Sequence, residues 1–265
     1  MKKLSLLFCA FLLVFCVVTF AAAGPVIDSV LKKGELVVGT SGDYPPLTAK
    51  TKEGKLIGLD VDLATLIALS MDVKPKIVQM QFSELLGALE TGKIDMIISA
   101  MTVTPKRNLK FAYVGPYFVS GQSILTTRET ALKADNLNDI NKPDFTLAVP
   151  AGTTSEMVVK NNVTKAKTTV TKNMDEALKL LLTGKVKAVM SDSAASAVAS
   201  FRYKDKGIIA TSPLTFEPIC IAIPATDPLL VNWLENFLTA LRGSGELELL
   251  IDKWFKNSSW MKDLP

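Results

Sequence analysis

The chain has 265 residues, of which 30 are Lys or Arg, 26 are Asp or Glu and none is histidine. This length is enough for one large or two ordinary domains with a full hydrophobic core. Because imidazole is absent, the sequence excludes a Ser-His-Asp triad, a Cys-His dyad, a His-based zinc site and a histidine pH switch. Most hydrolase mechanisms are therefore excluded, and we expect neither a metal ion nor a cofactor.

The first 23 residues have the pattern of an export signal. Two lysines are followed by an uncharged apolar run over residues 4–20 and by small residues at 21–24. A transmembrane anchor is the alternative, but an apolar run of 17 residues is at the short limit of a membrane span. Lipidation at Cys16 is disfavoured because Phe15 is bulky where a lipoprotein signal has a small residue. We predict cleavage near Ala23 and a soluble periplasmic product.

Removal of the leader leaves 242 residues with a net charge of +2 and one cysteine, Cys220. A charge so close to neutral indicates that the partner is not a nucleic acid or another polyanion. One cysteine cannot form an intramolecular disulfide. Cys220 stands in an apolar run, so we expect it to be a small buried hydrophobic residue.

Taken in chain order, the sequence after the leader alternates strand and helix patterns. Short apolar runs predict buried strands, and apolar residues spaced three and four apart predict helices. The predicted strands cover residues 35–39, 76–80 and 96–99, and the predicted helices cover residues 62–69 and 82–90. Strands that alternate with helices indicate an α/β fold in which helices cover both faces of each sheet.

Two parts of the chain resemble each other. Residues 89–99 and 181–191 both have the pattern of a helix end, a glycine cap and a buried strand that ends in serine. Residues 37–41 and 149–154 both have the pattern of a strand that runs into a Gly-Thr turn. Chance similarity between ordinary α/β segments is the alternative. We favour two similar α/β lobes, with a ligand site where the carboxyl ends of the strands gather.

Two extended stretches without a helix pattern, residues 117–126 and 215–223, connect the predicted lobes. The chain would leave the first lobe through one stretch and return through the other, and such connections are natural hinges. We assign residues 24–120 and 219–265 to lobe 1 and residues 121–218 to lobe 2.

Two amphipathic helices are predicted after the return, at residues 227–241 and 246–255. They would pack on lobe 1. We expect their aromatic residues Trp233, Trp254 and Phe255 to lie in the core rather than at a ligand.

In lobe 1, aromatic and polar side chains follow the first and third strands. Tyr44 precedes two prolines, where its ring could cover an apolar ligand chain or fill its own lobe as a turn residue. Hydroxyls at Ser99 and Thr102 precede Thr104, a predicted helix N-cap, and Arg107 lies in the first turn of that helix. A guanidinium makes two charge-assisted hydrogen bonds with a carboxylate. We predict a carboxylate receptor at Arg107 rather than a solvated side chain, because an arginine there opposes the helix dipole.

In lobe 2, the corresponding positions offer hydroxyls and one carboxylate. Thr153 and Thr154 begin an amphipathic segment, where they could bind an anion or serve as an ordinary N-cap. Asp192 follows the repeated strand, where it could bind an ammonium or cap the next helix. Arg107, Thr102 and the two threonines of lobe 2 would hold a carboxylate, and Asp192 would hold an ammonium. Together these residues predict a receptor for a zwitterion.

The order of these residues resembles that of the bacterial family 3 extracellular solute-binding proteins, the polar amino-acid receptors of ABC importers. The matching motifs are GTSGDYPP at 39–46, GLDVD at 58–62, GKID at 92–95, SAMTVTPKR at 99–107, GPY at 115–117, GTTSE at 152–156 and SD at 191–192. The resemblance covers residues 37–255. It implies a two-lobed periplasmic-binding-protein fold of type II, in which each lobe is a sheet flanked by helices and two extended hinge strands join the lobes.

The resemblance also implies a role for each matching residue. Tyr44 and Phe82 correspond to the aromatic residues that sandwich the ligand side chain. The other implied ligand contacts are Ser99, Ala100 through its backbone, Thr102, Arg107 at the α-carboxylate, Thr153 and Thr154 at the same carboxylate, and Asp192 at the α-ammonium.

One position departs from the pattern of the family's receptors for cationic amino acids. These often have an acidic residue where this chain has Ser41, so the resemblance does not assure selectivity for lysine or arginine. Asp43 or Glu84 could replace that acid, but we expect both to be surface charges.

The resemblance favours a non-catalytic, monomeric receptor for a free amino acid, which closes its lobes on the ligand and docks on a membrane permease of an ABC importer. The alternative is an enzyme similar to cyclohexadienyl dehydratases, with Glu156 as the general acid. A sensor domain of a signalling protein is disfavoured because no transmembrane or cytoplasmic segment is expected after Pro265.

Overall fold

The computed structural model describes residues 24–133 and 136–265. The predicted leader, its cleavage site and Cys16 lie outside the described residues. The helices are α1 Pro25–Lys33, α2 Leu59–Ser70, α3 Phe82–Glu90, α4 Pro105–Asn108, α5 Arg128–Ala131, α6 Leu137–Ile140, α7 Thr154–Asn162, α8 Met174–Leu182, α9 Ser193–Arg202, α10 Pro228–Gly243 and α11 Glu246–Phe255. The strands are β1 Glu35–Thr40, β2 Asp43–Tyr44, β3 Thr48–Lys50, β4 Leu56–Ile57, β5 Lys74–Gln79, β6 Met96–Ile97, β7 Phe111–Ser120, β8 Gln122–Thr127, β9 Thr146–Pro150, β10 Lys167–Thr171, β11 Ala188–Asp192, β12 Ile208–Ala210 and β13 Glu217–Pro224.

Two five-stranded sheets have matching arrangements. The first has the order β5-β1-β6-β13-β7 and the second has the order β10-β9-β11-β8-β12. In each sheet the first three strands are parallel and the last two pair antiparallel. The predicted α/β lobes are therefore present, and the small sheet β2-β3-β4 is added to the first.

The repeated sequence pattern forms the same local structure in both lobes. Gly92 after α3 and Gly184 after α8 have φ angles of 67° and 68°, in the left-handed region that favours glycine. The next residue in each case, Lys93 or Lys185, donates its N–H to a carbonyl of the preceding helix. Each cap is then followed by a buried strand at the middle of its sheet, so the repeat predicted from the sequence is confirmed.

The carboxyl-terminal helices pack on the first sheet, as the sequence predicts. Leu234 and Leu238 of α10 and Trp254 of α11 belong to the same buried cluster as the residues of β1 and β13. Trp254 is buried, and Trp233 is half-buried against this cluster. Phe255 was expected in the core, but it is 37% exposed and stacks on Phe118 at the edge of the cluster.

The two predicted crossings run side by side. Ser120, the last residue of β7, pairs with Glu217, the first residue of β13. A Cβ atom on Gly121 would lie 2.2 Å from the carbonyl oxygen of Thr215, so only glycine permits this close approach. The exact boundaries between the lobes, after residues 120 and 218, stay predictions.

Cys220 lies in β13 and is 4% exposed, as expected for a buried apolar thiol. Burial raises the pKa of this thiol to about 11, so it stays protonated and unreactive at neutral pH. Among the described residues, no helix combines the length and the apolar character that a membrane crossing requires.

Candidate functional site between the lobes

A small cavity between the two lobes collects most of the predicted site residues. It measures about 20 Å³, room for about one water molecule. Its walls are formed by Tyr44, Phe82, Ala100, Thr102, Arg107, Gln122, Thr153, Thr154, Ser155 and Asp192. Eight of the nine predicted residues are among them. We call this space the inner cavity.

Arg107 is a buried cation without a carboxylate partner among the described residues. Thr104 caps α4 as predicted, because its side chain accepts the N–H of Arg107. The guanidinium donates to the carbonyl oxygens of Thr102 at 2.7 Å and Gly152 at 2.8 Å, and it lies over the Phe82 ring. Burial lowers the pKa of Arg107. A desolvated guanidinium of this kind favours an anionic ligand.

Thr153 and Thr154 of lobe 2 differ in whether their hydroxyl proton is free to donate to a ligand. The Thr153 hydroxyl donates to the carbonyl oxygen of Pro150 and accepts the N–H of Glu156, so it has no proton left for a ligand. Thr153 is thus the N-cap of α7, which was one of the two expectations, and its predicted contact with a ligand stays a prediction. Thr154 Oγ1 accepts from Gln122 Nε2 and keeps its own proton to donate.

Backbone groups supply the rest of this wall. The N–H groups of Thr154 and Ser155, in the first turn of α7, have no acceptor among the described residues. Unsatisfied N–H groups at a helix N-terminus favour a carboxylate or another anion. Backbone donors and the Thr154 hydroxyl are therefore the groups of this wall that could bind an anion.

Asp192 is both a helix cap and a wall of the inner cavity. Its Oδ1 atom accepts the Ser120 hydroxyl at 2.6 Å and the N–H of Ala194 in α9 at 2.9 Å. Burial raises the pKa of Asp192 to about 6, although these hydrogen bonds lower it in part. Asp192 thus caps α9, and its predicted contact with a ligand ammonium stays a prediction. An ammonium ligand would favour the ionised form.

Tyr44 belongs to lobe 1, but its side chain packs against lobe 2. Its ring is buried among Leu125, Met174 and Ala177, which belong to lobe 2. It therefore does not fill its own lobe, which was one of the two expectations. Tyr44 and the half-buried Phe82 are both walls of the inner cavity.

Ala100 is held in an uncommon backbone conformation by a buried carboxylate. Its φ angle is 48°, in the left-handed region that residues with a Cβ rarely adopt. The Ala100 N–H donates to Asp60 Oδ2, and the Tyr117 hydroxyl donates to Asp60 Oδ1, both at 2.8 Å. Burial raises the pKa of Asp60 to about 7. Asp60 thus fixes the wall of the cavity from behind.

Ser99 is not a wall of the inner cavity. It is fully buried, and its hydroxyl oxygen accepts the N–H of Ser41 at 2.9 Å. The sequence interpretation also missed Gln122, Ser155 and Asp60. Gln122 accepts the Ser155 hydroxyl and donates to Thr154, so it ties the hinge to the start of α7. Gln122 directly follows Gly121 in the predicted hinge, and this position was the sequence feature that could have indicated its role.

Asp43 was expected to be a surface charge, and this expectation is wrong. The residue is only 9% exposed, and its Oδ2 atom accepts the N–H of Met174 in lobe 2 at 2.9 Å. Glu84 is exposed as expected, and its carboxylate accepts the N–H of Gln81 to complete the cap of α3.

Comparison with known proteins finds relatives over nearly the whole chain. A model of the bacterial extracellular solute-binding proteins, family 3, matches residues 36–257. The L-arginine-binding protein of Pseudomonas aeruginosa is 30% identical over 264 residues, which cover 96% of this chain and 97% of that protein. The cyclohexadienyl dehydratase of the same organism is 24% identical over 231 residues, which cover 87% of this chain and 86% of that protein.

A solved structure is also similar over most of its length. It is a binding component of an ABC transporter from Wolinella succinogenes in complex with lysine. Its TM-score is 0.82 at 34% identity, and the match covers 87% of this chain and 99% of that chain.

Proposed function

Because the chain belongs to the bacterial extracellular solute-binding proteins, family 3, we propose that it is the amino-acid receptor of a periplasmic ABC importer. The match confirms the family resemblance that the motifs indicated. The named relatives that bind arginine and lysine support an amino-acid ligand. The ligand would be a polar α-amino acid bound between the two lobes.

One observation carries this proposal. A buried guanidinium without a carboxylate partner, that of Arg107, and a buried carboxylate, that of Asp192, are walls of the same cavity and belong to opposite lobes. Each charge is costly to bury alone. An α-amino acid carries both complementary charges on one carbon, so one ligand compensates both residues.

Most walls of the inner cavity have a role in this proposal. Arg107 and the free N–H groups of α7 bind the α-carboxylate, and the hydroxyls of Thr102 and Thr154 donate to it. Asp192 binds the α-ammonium. Tyr44 and Phe82 flank the ligand side chain, and Ala100 forms the wall that Asp60 holds in place.

Binding would couple to movement of the lobes. Arg107 and Asp192 can contact one small ligand only when the lobes are close together, so the ligand binds the closed form better and shifts the population toward it. The hinge would be the paired crossings of β7–β8 and β13. The closed form would then dock on the permease as a monomer.

The dehydratase-like alternative has weaker support. It requires Glu156 to donate a proton to a substrate in the cleft. Glu156 is not a wall of the inner cavity, and its Oε2 atom accepts the N–H of Gly152 at 2.7 Å. This hydrogen bond holds the Glu156 carboxylate at the turn before α7 rather than at a substrate in the inner cavity. Formation of an aromatic product from prephenate or arogenate would contradict a purely binding role.

A thermal-shift screen over the twenty amino acids tests the proposal, followed by calorimetry on the best ligand. Binding to the folded state alone raises the melting temperature. Arg107→Ala is expected to weaken that ligand by about 30-fold or more, because it leaves a buried carboxylate unpaired. Lys106→Ala is the matched control, since Lys106 is an exposed cation of the same helix. Equal affinities in the two variants would refute the carboxylate site at Arg107, and the absence of any amino-acid ligand would refute the receptor.

A further inference from the structure

Glu217 is a buried carboxylate in the paired crossings between the lobes, and the head-group site described above does not include it. It is the first residue of β13 and is 5% exposed, whereas its neighbour Phe216 is 74% exposed. The Glu217 Oε1 atom accepts the Thr215 hydroxyl at 3.3 Å, and the Oε2 atom is buried without a hydrogen bond among the described residues. A buried carboxylate oxygen without a partner is energetically unfavourable unless a charge nearby compensates it.

On the side of lobe 2, Glu217 is connected to Asp192 through Ser120. Glu217 and Ser120 are paired residues of β13 and β7. Paired residues of an antiparallel ladder project from the same face, with Cβ atoms about 5 Å apart. The Ser120 hydroxyl donates to Asp192 Oδ1 at 2.6 Å. The carboxylates of Glu217 and Asp192 therefore lie on either side of one serine side chain, close enough to interact as charges.

On the other side, β13 adjoins the segment that positions Arg107. Thr102 pairs with Ile219, which is two residues beyond Glu217. The carbonyl oxygen of Thr102 accepts from the Arg107 guanidinium at 2.7 Å. Glu217 thus stands between the residues that hold the two opposite charges of the inner cavity, although it is not a wall of that cavity. It can act on a ligand there through its charge but not by contact.

The charge of Glu217 affects both of these neighbours. Burial raises the pKa of Asp192 to about 6, and Glu217 contributes to this rise. Burial lowers the pKa of Arg107, and Glu217 opposes this change in part. In a low dielectric a nearby like charge disfavours the ionised form of an acid, and the same charge attracts a cation. Glu217 therefore opposes the ionisation of Asp192 and favours a cation beside it.

We propose that Glu217 is the second carboxylate of the ammonium site at Asp192, a positioning residue that acts from the paired crossings, through Asp192, on the α-ammonium of the ligand. This inference rests on the proposed function. One ammonium then compensates two buried acids. Because the ammonium relieves the repulsion between them, binding at mildly acidic pH releases the proton of Asp192 to the solvent.

Other titratable groups lie near the two acids and must be distinguished from them. Burial raises the pKa of Tyr44 and Tyr117 above the usual range and that of Tyr113 to about 12, so all three stay protonated below pH 8. Arg107 stays charged in this range. Asp60 is the neighbour that titrates in the same range, because burial raises its pKa to about 7. The titrations are therefore repeated in Asp60→Asn, which removes this signal.

Carbon-13 NMR titration of the carboxyl groups, in the protein without added ligand, tests the interaction directly. Asp192 should titrate near pH 6 in the wild type. Glu217→Gln keeps an oxygen for the Thr215 hydroxyl, and it should lower the midpoint of Asp192 by about half a pH unit or more. Glu90→Gln is the matched control, since the Glu90 side chain is 59% exposed and its charge is screened. This control should leave the midpoint unchanged.

Ligand binding gives a second measurement, which a purely structural role of Glu217 would not change. Calorimetry between pH 5 and pH 8 uses the amino acid with the largest shift in the thermal screen, together with its deaminated analogue. In Glu217→Gln the amino acid should bind about threefold or more weakly at pH 8, and its loss of affinity on acidification should begin at a lower pH. The deaminated analogue has no ammonium and should bind at least as well as it binds the wild type.

Each contrary result overturns a stated part of the proposal. An unchanged Asp192 midpoint in Glu217→Gln refutes the interaction between the two acids. Equal losses for the amino acid and its analogue at every pH would make Glu217 a structural residue of the crossings.

Two further outcomes are also decisive. If no amino acid binds, the proposed function fails and the ammonium role fails with it, while the titration still decides whether the two acids interact. If Glu217→Gln does not fold, the wild type decides the question, because the Glu217 carboxyl resonance should then shift at the pH at which Asp192 titrates. The absence of that shift refutes the interaction.

Discussion

At the scale of single residues, the protein is organised around buried charges that lack a full set of partners. Arg107 has no carboxylate partner among the described residues, and Asp192 is satisfied on one oxygen by Ser120 and Ala194. Burying such groups destabilises a fold unless something compensates them. Their concentration at one cleft is therefore better explained by ligand binding than by stability.

Asp192 should make amino-acid binding depend on pH. Its pKa is raised to about 6 by burial, and only its ionised form attracts an ammonium. We expect affinity to be constant above about pH 7 and to fall toward tenfold per unit below pH 6. Calorimetry between pH 5 and pH 8 measures this. In Asp192→Asn the amino acid should bind weakly at every pH, while its deaminated analogue should lose little. Equal losses for the two ligands would mean that the ammonium lies elsewhere.

Asp60 should make the stability of the folded protein fall as the pH rises, whereas the affinity set by Asp192 falls as the pH is lowered. Its pKa in the folded state is raised from 3.8 to about 7, so its contribution to stability is full at low pH and is lost as the pH rises through 7. Asp60→Asn keeps groups that can accept the Ala100 N–H and donate to Tyr117. We expect the free energy of unfolding of the wild type to fall, relative to Asp60→Asn, by about 2 kcal/mol between pH 5 and pH 8. Urea titrations at both pH values measure this, and parallel pH profiles would contradict it.

The residue types at the site were predictable because head-group chemistry demands them. A carboxylate calls for an arginine and backbone donors, and an ammonium calls for an acid. What the sequence does not reveal is the pairing of residues that are distant along the chain. Asp60 reaches Ala100 and Tyr117, which follow it by 40 and 57 positions, and Asp43 reaches Met174, which follows it by 131. The contact with Met174 helps to bury Asp43, and a separate contact over 58 positions commits the Ser99 hydroxyl oxygen to the N–H of Ser41.

At the scale of elements, local signals were sufficient for most of the fold. The glycine caps after α3 and α8, the Thr104 cap of α4 and the alternation of strands with helices all depend on nearby residues, and all are present. The position of Tyr44 was not predictable, because its neighbours belong to the other lobe. Contacts between lobes depend on the hinge geometry, which no local pattern encodes.

The turn before α7 should be sensitive to added bulk. Gly152 has a φ angle of 75°, and a Cβ there would lie 3.0 Å from Ser83 Cα on the opposite lobe. Gly152→Ala should therefore hinder closure and lower ligand affinity by about tenfold. Gly184→Ala is the matched control, because Gly184 has a φ angle of 68° and open space around its Cβ position.

The two glycine variants should thus separate the effect of backbone strain from the effect of the steric clash with Ser83. Both are expected to lower the melting temperature, since both place alanine in the left-handed region. Only Gly152→Ala should weaken the ligand in calorimetry. If the two variants bind equally well, the contact with Ser83 does not form in the liganded protein.

At the scale of the whole molecule, the lobes touch through polar contacts around the cleft and through apolar side chains such as Tyr44. Arg107 donates to the Gly152 carbonyl, Met174 donates to Asp43, and Arg202 donates to the Pro265 carbonyl. Each lobe also has its own sheet and its own buried clusters. The lobes are therefore expected to move as separate bodies about the paired crossings.

Ligand entry should require this movement. The inner cavity holds about 20 Å³, far less than an amino acid needs, so the lobes must separate for a ligand to enter and close again around it. We expect small-angle scattering to give a larger radius of gyration for the ligand-free protein than for the protein saturated with its best ligand. Gly152→Ala, at a ligand concentration that saturates it, should remain more expanded because Ser83 blocks full closure. A radius of gyration that does not change at saturation, together with a normal heat of binding, would contradict hinge closure. The charged walls of the cavity would then bind the ligand without a movement of the lobes.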